Sequence, residues 1–151
     1  YLIFKLIHVL AVIFFVGNIT IGFFWKSHGD KSNDPKIIAH TIRGIIKSDR
    51  MFTMPAVAFL IVAGFGAAGI HFLPVIETGW ILWGIILIII SGAAFMAKVV
   101  PVQKRLLKIA EADPFDKELY ATVSKEWSLW GSIATIAPLI AVILMVLKLP
   151  A

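Results

Sequence analysis

Apolar positions along this chain gather into four runs, Leu2 to Trp25, Met51 to Ile76, Gly79 to Val100 and Trp127 to Leu149, and the polar positions lie between them. A hydrocarbon core of about 30 Å takes about 20 residues of helix, so each run is long enough to cross once. Backbone amides in lipid must pair within their own segment, which makes each run a helix. The short connection around Pro74 to Thr78 and the two longer polar segments then give an up-down-up-down order. No repeat, low-complexity segment or linker divides the chain. Residues 1–151 are therefore expected to form a single integral membrane domain, all-α, a four-transmembrane-helix bundle.

The polar segments carry a pattern of their own. Asp34-Pro35 reads as N-cap and first helical residue. Behind it Ile37, Ile38, Ile42, Ile45 and Ile46 recur at helical spacing opposite Lys36, His40, Arg43, Lys47 and Arg50. That predicts an amphipathic interfacial helix between spans one and two, lying among lipid headgroups. Asp113-Pro114, with Asp116 following, predicts a polar helix through Lys125 that runs on into the fourth span. The third span should likewise continue past Pro101 as Gln103 to Ala110. In the fourth span Pro138 should kink the helix and leave a carbonyl near position 134 in need of a partner. The small residues of AGFGAAG, Ala63 to Gly69, allow another helix to approach closely.

Composition sharpens this picture. The chain is 60% hydrophobic and 15% charged, too few charges to cover a soluble domain of 151 residues. The net charge of +5 comes from loop residues, so it speaks for lipid headgroups and orientation, not for nucleic acid. Six Lys and Arg lie between Lys26 and Arg50, six between Lys98 and Glu126, and none in the Pro74 turn. The expectation is a bacterial inner (cytoplasmic) membrane protein with both termini outside. Trp80 and Trp83 would mark the outer interface, and Trp25, Trp127 and Trp130 the inner one. The first run is read as a span and not a signal peptide, for it lacks a small-x-small cleavage site. With no cysteine, thiolate metal sites, covalent haem attachment and iron–sulfur clusters are excluded. Neither a phosphate-binding glycine loop nor HExxH nor a serine nucleophile elbow occurs.

Candidate chemistry begins with the histidine in KLIHVL. Helical spacing sets Lys5, His8, Ala11 or Val12, Phe15, Asn18 and Gly22 along one stripe of the first span. Asn18, near the bilayer middle, requires that stripe to face the bundle interior, while Lys5 can snorkel. His8 can be either a neutral imidazole bonded to a neighbouring helix or an axial ligand to haem b. His71, about 5 Å different in depth at 1.5 Å per residue, could supply a second imidazole or be simply interfacial. His28 and His40 read as solvated loop residues. Asp49, Arg50 and Glu126 are the candidate catalytic groups, although Asp49 could merely cap the second span. Arg50, Lys98 and Glu126, with Trp127 and Trp130, could form a charged mouth for an acidic amphiphile.

KLIHVL followed by FFVGN, then SDRMFTMP with GFG after it, GW opening span three and a closing ILMVLKLP together resemble the HemJ-type protoporphyrinogen oxidase family. They resemble even more its uncharacterised sister family, known only as predicted integral membrane proteins. The resemblance covers nearly the whole chain, mostly at apolar positions. It implies a four-helix membrane protein that binds haem b and handles tetrapyrroles. His8 matches the family's first-span histidine, Asp49, Arg50 and Pro55 its acidic-Arg pair and proline, and Glu126 its acid before the last span. The lysine and histidine that HemJ-type proteins carry in the third span fall at Gly84 and Phe95 here, so the sister family is the nearer match and oxidase activity is uncertain. The functional expectation is a haem-b-associated redox or tetrapyrrole-handling protein, with His8, His71 and Asn18 at the cofactor. The alternative is a non-catalytic accessory subunit of a larger membrane complex. The partners expected are the lipid bilayer, and such a complex or a homo-oligomer.

Overall fold

The computed structural model describes residues 1–150, all helical apart from short connections. Six helices follow one another: α1 (Leu2–Lys31), α2 (Pro35–Ser48), α3 (Met54–Ile70), α4 (Gly79–Ala94), α5 (Val100–Glu111) and α6 (Lys117–Leu147). A π-helical turn joins α2 to α3 over Asp49–Thr53, and another joins α4 to α5 over Phe95–Val99, so four continuous rods are long and apolar enough to span a membrane. The prolines account for both π turns. Pro55 and Pro101 have no N–H to give the residue four back, and each ring would collide with that residue's carbonyl. Widening the preceding turn removes the conflict, with Met54 N–H bonding Asp49 O and Val100 N–H bonding Phe95 O.

The rods form two long antiparallel hairpins. In the first, α1 runs against α2 and α3: Gly29 meets Thr41, Gly22 meets Ile45, and Gly66 meets Phe4. A Cβ at Gly66 would lie 2.7 Å from the Phe4 ring, so the small residues of AGFGAAG serve contact within the chain. In the second hairpin α4 and α5 run against α6, with Gly84 against Met145 and Gly79 against Pro150. Pro138 frees the Ala134 carbonyl as expected, and Ser91 Oγ donates to it at 2.6 Å. The helix continues through Pro138 to Leu147.

The hairpins join at the end rich in Lys and Arg, here termed the basic end. Its core contains Ile38, Ala39 and Ile42 of α2, Val102, Leu106 and Ala110 of α5, and Tyr120, Val123 and Trp127 of α6. Toward the Pro74 turn, a second cluster of Ala11, Phe15, Ile19, Ala56 and Leu60 holds α1 to α3. The α3 and α4 backbones do not approach closely among the described residues, and Ile88 of α4 reaches the cluster with its side chain.

Three expectations need correction. The amphipathic helix exists over the residues foreseen, with Asp34 Oδ1 accepting from Lys36 N at 2.8 Å, but it does not lie flat on headgroups. Its isoleucine face is buried against α5 and α6, because those helices extend beyond the apolar runs and offer a complementary apolar stripe. The fourth rod is capped by Asp116, whose carboxylate accepts from Leu119 N at 2.9 Å, not by Asp113. The second span ends at Ile70, six residues before Ile76, since His71 to Thr78 form the turn.

Candidate functional site

The polar stripe of α1 faces inward as its spacing predicts, with Ala11 and Phe15 buried and His8 and Asn18 half-buried. His8 Nδ1 lies 2.9 Å from the carbonyl oxygen of Leu60. A carbonyl can only accept, so Nδ1 is the donor, and in a neutral ring that leaves the lone pair on Nε2. Gly64 makes this seat possible: a Cβ there would come within 3.0 Å of Nδ1 and 3.1 Å of Cε1. His71 is elsewhere. It is exposed at the end of α3 and packs edge to face on Tyr1, with ring centroids 4.0 Å apart. Tyr1 and His8 are seven residues apart, about 10 Å along a helix, so the two imidazoles are not brought together.

Asn18 meets Asp49. The widened turn before Pro55 turns Asp49 into the bundle, where it is 7% exposed. Its Oδ1 accepts from Asn18 Nδ2 at 3.2 Å and Thr53 Oγ1 at 3.0 Å, and its Oδ2 accepts from Gln103 Nε2 at 3.0 Å. Asn18 Nδ2 also donates to Thr53 Oγ1 at 2.8 Å, and Ser48 Oγ donates to Asn18 Oδ1. Asp49 is therefore no helix cap. It is the hub of a buried polar cluster that ties the first hairpin to the second, and every donor reaching it is neutral.

The charged mouth is not assembled. Arg50 is exposed, adjoining Asp49 in sequence only. Glu126 pairs with Arg105 at 3.2 Å, and Lys98 Nζ lies 5.3 Å from the Trp130 ring centroid. Trp127 is not an interfacial anchor but is 4% exposed, tilted against Phe23 at 4.8 Å. Gly84 and Phe95 pack as apolar positions, against Met145 and the basic-end core.

A polar cluster that the sequence did not announce lies beside Trp127. Lys26 is 4% exposed; its Nζ donates to Asp30 Oδ2 and to Ser124 Oγ, both at 2.6 Å. Tyr120 Oη donates to Asp30 Oδ1 at 2.6 Å. The ammonium also sits 5.0 Å from the Tyr120 ring centroid and 5.6 Å from that of Trp127, within cation–π range. Tyr120 belongs to the polar start of α6, outside the apolar stretch that begins at Trp127. Burial, and then its bond to the Asp30 carboxylate, raise its phenol pKa above the usual value. One clue was available in sequence: Lys26 and Asp30 stand at i and i+4.

These features define an all-helical integral membrane protein with four spans. Residues 2–149 match the family described as predicted integral membrane protein (DUF2269), and the chain belongs to that family. The match is to this uncharacterised family and not to the HemJ-type oxidases specifically. No curated protein matches the chain, nor does any solved structure.

Proposed function

We propose that this protein binds haem b through His8 and serves in electron transfer or tetrapyrrole handling. The observation that carries the reading is the bond from Nδ1 to Leu60 O. Imidazoles that ligate metal are characteristically held this way, one nitrogen donating to a carbonyl while the other offers its lone pair. A single fixed imidazole in an apolar helix is the donor set of a b-type haem site in a protein without cysteine. Bound haem would supply one-electron chemistry; the chain's part is to fix the His8 tautomer and surround it with apolar side chains. His71 has no place in this proposal, and Asn18, bonded to Asp49, contributes to the polar cluster instead. Asp49 is read as a positioning residue, and Arg50 and Glu126 as surface charges. Twelve Lys and Arg on the two polar segments support an inner-membrane orientation with the basic end in the cytoplasm and both termini outside.

The test is a reduced-minus-oxidised spectrum of protein purified after expression with ample haem. Wild type and His71→Ala should show Soret and α bands, and His8→Ala should not. A colourless wild type would leave the accessory-subunit reading, which Gly17 and Gly69 favour as exposed positions with open space beyond Cα for a partner helix or a second copy.

A further inference from the structure

With its isoleucine face buried on α5 and α6, α2 leaves its basic face uncovered. At helical spacing Lys36, His40, Arg43, Lys47 and Arg50 form one stripe of that face, and all five are exposed. Lys104 and Lys108 of α5 are exposed on the stripe that leads to Glu111, and Glu111 ties the two stripes together by pairing with Arg43 at 3.1 Å. It is the one acid in an ion pair on this face among the described residues, so six Lys and Arg stand against one carboxylate. The face is upright. Because α2, the π-helical turn and α3 form one continuous rod, it rises from the membrane boundary, where Arg50 adjoins the apolar run that starts at Met51. Arg43, His40 and Lys36 stand about 10, 15 and 21 Å farther out at 1.5 Å per residue. The pull of an anionic lipid surface fades within a Debye length of about 8 Å, so headgroups can hold Arg50 and Lys47 but not the outer part of the stripe. That part is not purely basic. Ile37, beside Lys36 and His40, is 48% exposed, and a Cβ at Gly44, seven residues on along the same line, would meet nothing within 4 Å. Basic side chains flanking an exposed isoleucine and a bare glycine suit a helix with an acidic stripe and an apolar edge, not a featureless polyanion.

We propose that the α2–α5 face docks an acidic amphipathic helix of a protein partner on the basic side of the membrane, its carboxylates against Lys36, Arg43, Lys47 and Lys108 and its apolar edge on Ile37 and Gly44. Charge complementarity orients the partner and speeds encounter, while the isoleucine and the bare glycine set its register. The proposal stands apart from the haem reading, since neither His8 nor α3 takes part.

The test uses the full chain in phosphatidylcholine nanodiscs and follows the fluorescence anisotropy of two labelled peptides of identical composition. In one, Glu recurs at helical spacing beside an edge of Leu and Ala; in the other the same residues are shuffled. Lys36→Glu and Lys47→Glu reverse charges at exposed positions, and Gly44→Phe fills the bare site with the net charge unchanged, so none of the three disturbs a buried contact. The ordered peptide should bind saturably and more tightly than the shuffled one. Each charge reversal should weaken its binding about fivefold, as expected for an exposed ion pair, and Gly44→Phe about tenfold by holding the helix off. Equal binding of the two peptides, or binding that Gly44→Phe leaves unchanged, would reduce the face to unspecific attraction and overturn the proposal, as would no saturable binding of the ordered peptide. Loss of that binding when phosphatidylglycerol replaces part of the phosphatidylcholine would mark lipid as the occupant and overturn it too.

Discussion

Replacing Asp49 separates the structural demand for an acceptor from any demand for charge. Asp49→Ala removes the acceptor of Asn18, Thr53 and Gln103 together. Asn18 Nδ2 keeps Thr53 Oγ1 as its acceptor at 2.8 Å and the Thr53 hydroxyl can turn to a carbonyl of the preceding helical turn, so Gln103 Nε2 is the donor stranded outright. A stranded buried donor costs about 1–3 kcal/mol, and the void left by the carboxyl adds about 1 kcal/mol. The expected loss is therefore about 2–4 kcal/mol. Asp49→Asn behaves differently. Its oxygen still serves Asn18 and Thr53, while its amide faces Gln103, which can turn its own amide to offer Oε1. That exchange keeps the new amide, Asn18 and Thr53 paired, so Asp49→Asn should stay within about 1 kcal/mol of wild type. Unfolding by a rising fraction of dodecyl sulfate in mild detergent, followed by tryptophan fluorescence, measures both. Should Asp49→Asn prove as damaging as Asp49→Ala, the carboxylate's charge is itself required and the hydrogen-bond account of this cluster is wrong.

Three further expectations use the same unfolding assay. Ser91→Ala should cost about 0.6 kcal/mol and at most about 1.7, as interhelical bonds in membranes do, and the cost should vanish in a Pro138→Ala background where the helix itself satisfies the Ala134 carbonyl; an undiminished cost there would detach Ser91 from Pro138. Gly29→Ala sets a Cβ 2.8 to 3.0 Å from three atoms of Thr41, an overpacking of about 1–3 kcal/mol against a helix-propensity gain of about 1 kcal/mol, whereas Gly44→Ala meets nothing within 4 Å and should stabilise; equal effects at the two sites would refute the α1–α2 packing. In the unfolded chain Tyr120 ionises near pH 10.0, and in the folded chain it holds its proton to higher pH, so its contribution is fully present below that pH and stability should fall as pH rises beyond it. Tyr120→Phe should flatten that alkaline fall and cost about 1 kcal/mol at neutral pH, Asp30 being partly exposed; an unchanged alkaline limb would contradict the Asp30 bond.

Hydropathy made the four spans legible because lipid imposes both length and helical pairing on them. The Asp34 cap and the freed carbonyl at Ala134 were legible too, as each follows from local geometry around a proline. The cover on α2 was not. Periodicity shows that a face is apolar, not whether lipid or protein meets it; the missing signal was the matching stripe of Val102, Leu106 and Ala110 on a second amphipathic helix. Lys26 stands just after an apolar run and so read as a loop charge, since its partners Tyr120 and Ser124 lie more than ninety residues away. Asp49 reaches Gln103 only because prolines widen a turn in both rods, a change of facing that a regular 3.6-residue pattern does not carry.

The central claim, that His8 holds a haem iron, is tested most directly by removing the ring and giving it back. Protein carrying His8→Gly should purify without a Soret band beside a coloured wild type, and free imidazole added during haem loading should restore the band. A wild type that takes up no haem, or a His8→Gly variant whose spectrum equals that of wild type without imidazole, would contradict it.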